Sequence, residues 1–355
     1  MKLKNVLVTG GSGFIGSALV RTLLKQHAVS VMNIDSLTYA AGPSSLKEVE
    51  HCGRYKFLHA DIRSHDKMLA AFEDFEPNYV FHLAAETHVD NSLINPKIFL
   101  DTNINGTYVM LETARKYLDK KVARRLDFCF HHISTDEVFG DLPHPDDDNY
   151  SAQLFTEDTP YFPSSPYSAS KAASDHLVTA WGRSYNIPYK MTNCSNNYGP
   201  YQNAEKLIPK VINNAINGKP IPIFGQGDQI RDWLYVEDHA EALISVAKDA
   251  AMYSKYNIGG FNEVKNIDIV KEICQHLDKK FGLLREFLSP EVASSFSTYM
   301  DLLVFVEDRK GHDRRYAINS SKINQDLFWE PKLNYKAGLK LTVDWYVDQH
   351  IQSWK

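Results

Sequence analysis

The turn after the first apolar run constrains this chain more than any other stretch. Leu3 to Val8 (LKNVLV) has the length and β-branched content of a buried strand, and Thr9-Gly10-Gly11-Ser12-Gly13-Phe14-Ile15-Gly16 follows it directly. An amphipathic segment then continues to about Gln26. Gly11, Gly13 and Gly16 make G-x-G-x-x-G, and Gly10 adds the variant G-x-x-G-x-x-G. The glycines answer three steric needs, which are a tight turn, close approach of backbone to a pyrophosphate, and close packing of helix on strand. The helix that begins there offers free N–H groups and a positive dipole end to phosphate. The strand before and the helix after are the context in which this pattern has meaning. A second strand, Val29 to Ile34, ends in Asp35, 19 residues beyond Gly16. A carboxylate at that position accepts bonds from ribose hydroxyls and repels a 2′-phosphate, so the cofactor expected is NAD.

The alternation continues. Tyr55 to Ala60 predicts a strand capped by Asp61-Ile62, His65 to Phe75 a helix, and Tyr79 to Ala84 a further strand opening into Ala85-Glu86-Thr87-His88-Val89-Asp90. Strands alternating with helices imply an α/β fold with a Rossmann-type, doubly wound parallel sheet. A long helix expected over about Ile98 to Leu118 carries apolar residues on more than one face (Phe99, Leu100, Tyr108, Leu111, Leu118). It should therefore pack on the sheet and against something else as well.

Composition narrows the functional classes. The chain has 355 residues, 43% of them hydrophobic, enough for one large core or two smaller ones. A net charge of -5 without a Lys/Arg run argues against a nucleic-acid or membrane-surface protein. No apolar run reaches the roughly 18 residues of a spanning helix, and MKLKNVLVTGG enters a strand without a signal-peptide pattern. Cys52, Cys129, Cys194 and Cys274 lie far apart with no metal-ligand spacing, so reduced thiols and a cytoplasmic protein are expected. Asp146-Asp147-Asp148 reads as a solvated loop, since three consecutive carboxylates cannot easily wrap one cation; no metal site is expected.

Two further stretches carry chemistry. The apolar run Leu126 to Ile133 predicts a strand, and Ser134-Thr135-Asp136-Glu137-Val138-Phe139-Gly140 follows it. Adjacent carboxylates on a continuing strand face opposite ways, so both serve one ligand only if the backbone bends, which Gly140 permits. In open α/β sheets the carboxyl ends of strands are where ligands sit. Downstream, Ser165-Pro166-Tyr167-Ser168-Ala169-Ser170-Lys171 opens a helix running to about Tyr185, with Tyr167 and Lys171 one turn apart on one face. A free phenol titrates near 10; a neighbouring ammonium and an oxidised nicotinamide would lower it toward a usable base.

Together the fingerprint, Asp35, a Ser/Thr at a strand end and Tyr-x-x-x-Lys resemble the extended short-chain dehydrogenase/reductase family. Within it, STDEVFG resembles the NDP-glucose 4,6-dehydratases; sugar epimerases and decarboxylases usually carry small residues where this chain has Asp136 and Glu137. AAETHVD, NCSNNYGPYQ, EKLIP, QIRDWLYVEDH and DRKGHDRRYAI extend the resemblance over nearly the whole chain. Lys310, Ser12 and Asn203-Ala204 depart from the usual pattern, and Phe281 to Val306 is unfamiliar.

The resemblance implies an internal redox cycle with Thr135, Asp136, Glu137, Tyr167 and Lys171 as catalytic residues. For NAD it implies Gly10, Gly13, Phe14, Ile15, Gly16, Asp35, Asp61, Ile62, Leu83, Ala84, Ala85, Thr102, Tyr167, Lys171 and Asn197. For the nucleotide-diphosphate sugar it implies Thr87, His88, Asn196, Lys206, Leu207, Pro222, Phe224, Arg231, Asn266, Arg309 and His312, with the two arginines gripping the diphosphate. It divides the chain into an NAD-binding domain over 1–200, with a return over parts of 230–265, and a smaller C-terminal α/β nucleotide-sugar lobe over 201–355. It also implies a homodimer through a four-helix bundle. The rival functions are a C4 epimerase of the same fold and a non-catalytic NAD-binding sensor.

Overall fold

The computed structural model describes residues 1–42, 44–148, 150, 152–308 and 313–353, so Arg309, Lys310 and His312 lie outside the described residues. Among the described residues, seven parallel strands form the central sheet: β1 (Asn5–Thr9), β2 (Ser30–Asp35), β3 (Tyr55–His59), β4 (Tyr79–His82), β5 (Cys129–Thr135), β6 (Tyr189–Cys194) and β7 (Lys255–Ile258). Their spatial order is β3-β2-β1-β4-β5-β6-β7, with every neighbouring pair parallel. Strand order therefore reverses between β1 and β4, which opens a crevice at their carboxyl ends.

The first turn of the fold obeys the glycine argument. Gly10 adopts a φ of +71°, and a Cβ there would stand 2.8 Å from the Ala84 amide nitrogen; one on Gly16 would stand 2.1 Å from the Gly10 carbonyl oxygen. Helix α1 (Phe14–Gln26) thus starts hard against β1. α2 (His65–Phe75) covers one face of the sheet together with α3 (Gly106–Lys120) and α4 (Pro166–Tyr185), packing through Phe72, Leu111, Tyr117 and Val178. The other face is covered by α1 and α5 (Val236–Asp249), whose apolar sides meet Val6, Val8, Phe81 and Ile258.

The helix expected over 98–118 is broken. Pro96–Phe99 is a short helix, Leu100–Asn105 a wider π-type turn, and only then does α3 begin. A further short helix, Val89–Ile94, has no counterpart in the sequence reading. Phe99, Leu111 and Leu118 are buried, whereas Leu100 and Tyr108 remain exposed.

A second core gathers the C-terminal half around Ile208, Val211, Ile269, Ile273, Tyr299 and Leu339. It carries two small sheets. The strand Ile230–Tyr235 pairs with Asn196–Tyr198 on one side and Glu263–Lys265 on the other. Ile221–Phe224 pairs with Leu303–Val306, so the unfamiliar 281–306 stretch supplies a strand to this lobe and buries Phe296 and Tyr299 in its core.

Candidate active site

The sheet ends where the chemistry begins. β5 is buried throughout, and at Thr135 the chain leaves the strand into a single tight turn, Asp136–Phe139, closed by Gly140 at a φ of +93°. A Cβ on Gly140 would meet the Phe162 carbonyl oxygen at 2.5 Å. The bend therefore falls at Asp136 itself, and the two carboxylates leave a strand's alternation to face one space. Thr135 caps the turn, its hydroxyl accepting the Glu137 amide at 3.3 Å and donating to Asp136 Oδ1 at 3.3 Å.

Asp136 is 2% exposed, and its Oδ2 has no hydrogen-bond partner among the described residues. Burial pushes its carboxyl well above the usual range, and the charges of Glu137 and Asp232 push the same way; Arg231 and Thr135 oppose them. A neutral carboxylic acid beside a second carboxylate is the arrangement that proton donation beside proton abstraction requires.

α4 begins with Ser165 and Ser168 capping each other reciprocally. That cap fixes the first turn, which carries Tyr167. The phenol is buried, and burial, then Glu137, holds it well above its ordinary value, with a hydrogen bond to Thr135 acting the other way. Lys171 stands one turn from Tyr167 on the same helix. Its ammonium donates to the Ile133 carbonyl at 2.8 Å, and burial lowers it.

Two clefts meet at this point. The larger, of about 340 Å³, runs from the glycine turn past Asp35 and Asp61 to Tyr167. Every residue expected to hold NAD lines it: Gly10, Gly13, Phe14, Ile15, Gly16, Asp35, Asp61, Ile62, Leu83, Ala84, Ala85, Thr102, Tyr167, Lys171 and Asn197. These residues fit a dinucleotide. A Cβ on Gly13 would meet nothing closer than the Gly10 carbonyl oxygen at 3.3 Å, so the backbone lies open to the cleft, and α1 has no side-chain cap on its first amides. Among the described residues Asp35 takes one backbone N–H on each oxygen, from Ser12 at 2.9 Å and Leu37 at 2.8 Å, so lone pairs remain there for hydroxyls. At the far end Asn196 Oδ1 and Gln202 Oε1 are buried without partners among the described residues.

The second cleft, of about 210 Å³, is lined by Thr87, His88, Asn196, Lys206, Leu207, Pro222, Phe224, Arg231 and Asn266, and Glu137 belongs to both clefts. Arg231 is preset there. It donates to the carbonyls of Ile230 (2.8 Å), Arg314 (3.3 Å) and Asp313 (2.8 Å) and lies 4.2 Å above the Tyr316 ring. Lys206 Nζ donates to the Thr87 carbonyl at 3.1 Å, and His88 Nε2 lies 3.6 Å from Glu205 Oε2.

Several site residues escaped the sequence reading. Asn103 joins the Glu86 backbone to Ser170 through bonds of 2.8–3.0 Å, which sets Thr102 into the cofactor cleft. Asp232 accepts the Gly260 amide at 2.8 Å and the Asn262 amide at 2.6 Å close behind Asp136. Ser12 donates its amide to Asp35, and its hydroxyl accepts from Asn33 at 3.0 Å. Asn203 reaches across the cofactor cleft to the Tyr39 carbonyl at 3.1 Å. The acidic loop is less solvated than expected: Asp147 pairs with Arg314 at 2.6 Å, and Arg314 also reaches Asp228 at 3.3 Å. His144, Asp146 and Asp228 bring ligand atoms within 4.8 Å of one another beside that guanidinium.

A doubly wound sheet, a glycine-turn dinucleotide cleft and a buried Tyr-x-x-x-Lys helix place the molecule in the short-chain dehydrogenase/reductase class of nucleotide-sugar enzymes. Within that class the chain belongs to the GDP-mannose 4,6 dehydratase family, whose sequence profile matches residues 7–342. A dTDP-glucose 4,6-dehydratase of Salmonella typhimurium is 52% identical over 349 residues, 96% of this chain and 92% of that protein. A dTDP-glucose 4,6-dehydratase of Bacillus anthracis, solved in complex with NAD, superposes with a TM-score of 0.81 at 35% identity, over 99% of this chain and 100% of that one. A dTDP-glucose 4,6-dehydratase of Streptomyces venezuelae, solved with NAD and dTDP, gives 0.84 at 34% identity over 98% of each chain. No helix among the described residues is long and apolar enough to cross a membrane.

Proposed function

We propose that this chain dehydrates dTDP-glucose to dTDP-4-keto-6-deoxyglucose with NAD as a catalytic, recycled cofactor. The observation that carries the reading is the buried Asp136 beside Glu137, at the junction of a dinucleotide cleft and a second cleft. Bound NAD supplies a hydride acceptor at the start of the cycle and a hydride donor at its end.

The protein's residues handle the protons. Tyr167, bridged by Thr135, takes the proton of the C4 hydroxyl as C4 is oxidised. The 4-ketone makes the C5 proton acidic, and Glu137 removes it. Asp136 gives its proton to the C6 hydroxyl, which leaves as water. Reduction at C6 and return of a proton to C5 complete the product. The adjacent carboxylates match adjacent reacting carbons, and their unequal burial fits one acid and one base.

The same reading assigns the diphosphate to Arg231 and Arg309 and the sugar and base to Thr87, His88, Asn196, Lys206, Leu207, Pro222, Phe224, Asn266 and His312. The NAD-binding domain is taken as 1–200 with its return over parts of 230–265, and 201–355 as mainly the nucleotide-sugar lobe. A cytoplasmic enzyme fits NAD chemistry and the free thiols of Cys52, Cys129, Cys194 and Cys274. Exposed Tyr108 of α3 meets Trp181 at 5.9 Å, and exposed Tyr185 lies 5.6 Å from the same ring, an aromatic face across α3 and α4 suited to a homodimeric four-helix bundle. Sedimentation at working concentration should give twice the chain mass; monomer alone would refute the bundle. The activity is tested by incubating the protein with dTDP-, UDP-, CDP- and GDP-glucose. A 4-keto-6-deoxy product from the dTDP sugar is expected, and none from any sugar would overturn the reading.

A further inference from the structure

Beneath Lys171 lies a charged cluster that the reaction as written does not use. Asp175 stands one turn further along α4 and is 2% exposed. Its carboxylate accepts three hydrogen bonds: from His132 Nε2 at 3.0 Å, Ser134 Oγ at 2.9 Å and Tyr161 Oη at 2.6 Å. His132 and Ser134 flank Ile133 on β5, and the Ile133 carbonyl is the acceptor of the Lys171 ammonium. One strand thus fixes the anion with two side chains and the cation with the backbone between them.

The charge state follows from the partners. Burial raises Asp175, but His132, Lys171 and Tyr161 outweigh it and leave the carboxyl below its usual range. Burial keeps His132 neutral, so its Nε2 carries the hydrogen, and its bare Nδ1 has no partner among the described residues. Against Lys171 stand His82 of β4, held neutral by burial, and Cys194 of β6, whose thiol is pushed up to about 12. Lys255 of β7 also faces Asp175, with its ammonium 4.4 Å from the Tyr161 ring centre and with Glu157 and Asp158 beyond it. Burial acts to strip Lys171 of its proton, and Asp175 is the foremost charge opposing that.

We propose that Asp175 is a positioning residue for the first proton transfer: its fixed, buried carboxylate holds Lys171 as an ammonium bonded to Ile133, and so keeps a cation one turn from Tyr167. This rests on Tyr167 and Lys171 serving as base and cation in the proposed reaction. Without the carboxylate Lys171 would lose its proton at lower pH, and the first step would fail sooner on the alkaline side. A nearby opposite charge favours the charged form of its neighbour, so its removal lowers the pH at which the ammonium loses its proton.

The test follows reduced nicotinamide when NAD-loaded protein is mixed with dTDP-glucose across pH. Wild-type protein that forms none would refute the functional reading and not this inference. If wild type does form it, Asp175→Asn should move the alkaline limb about one pH unit or more toward acid, at little change in KM. His132→Gln, which retains the carboxylate, should leave that limb in place. A uniform loss of rate across pH in Asp175→Asn, with the limb unmoved, would reduce Asp175 to a fold-holding residue. Should Asp175→Asn fail to fold, Asp175→Ser, which keeps a hydrogen-bonding oxygen without the charge, should move the alkaline limb toward acid in the same way, and an unmoved limb in that variant would overturn the proposal.

Discussion

Replacing Asp136 by asparagine separates the proton from the shape. The side chain is almost wholly enclosed, with one oxygen bonded to Thr135 at 3.3 Å and the other without a partner among the described residues. Asparagine has the same outline and no proton to give, so Tyr167, Lys171 and the cofactor cleft stay in place. General acid catalysis is worth about 10²–10⁴ in rate, or roughly 3–5 kcal/mol of barrier. The upper end is expected, because a hydroxyl leaves poorly unless protonated. C4 oxidation should persist, so rapid mixing with dTDP-glucose should show reduced nicotinamide accumulating where wild type turns over.

Stability should move the other way. Asp136 is raised in the folded state, so the native protein holds its proton more tightly than the unfolded chain does. The resulting penalty is absent in acid and grows as pH rises through the unfolded carboxylate's range. The asparagine variant should therefore match wild type in acid and exceed it near neutrality, by about 1.4 kcal/mol for each pH unit by which the folded carboxyl lies above the unfolded one. Normal turnover would remove Asp136 as the acid. Lost turnover with no accumulated reduced nicotinamide would mean that it serves the first step instead.

Two further substitutions address the other steps. Tyr167→Phe keeps the buried ring, which meets Phe99 edge-on at 6.3 Å, but removes the base; reduced nicotinamide should form about 10²–10⁴ more slowly, and an unchanged burst would exclude the phenol. Arg231→Ala removes a guanidinium already held by three carbonyls and the Tyr316 ring, so KM should rise about tenfold or more while bound NAD is retained; an unchanged KM would take Arg231 out of the site.

What could be read from the sequence was chemistry carried by local geometry. Gly10 and Gly16 announce the turn because only a bare backbone fits within 3 Å of Ala84 and of the Gly10 carbonyl. Asp136-Glu137 after a buried strand, and Tyr167 one turn from Lys171, are likewise local patterns. What stayed hidden depends on partners far away in the chain. The break at Leu100–Asn105 is tied to Asn103 reaching Ser170, 67 residues on. His132 falls within the predicted strand and Ser134 just after it, but neither position shows its acceptor, Asp175, which lies 43 and 41 residues away. Spacing correctly set Lys171 beside Tyr167 on one face but could not show that the ammonium points at Ile133.

The central claim is that hydride leaves C4 and returns to C6 while two neighbouring carboxyl groups remove water between C5 and C6. dTDP-glucose carrying deuterium at C4 tests it directly, with product analysed by NMR. The account predicts the label at C6 and, in deuterated solvent with unlabelled substrate, deuterium at C5. Label remaining at C4, with C5 untouched by solvent, would contradict it and leave epimerisation as the reaction of this site.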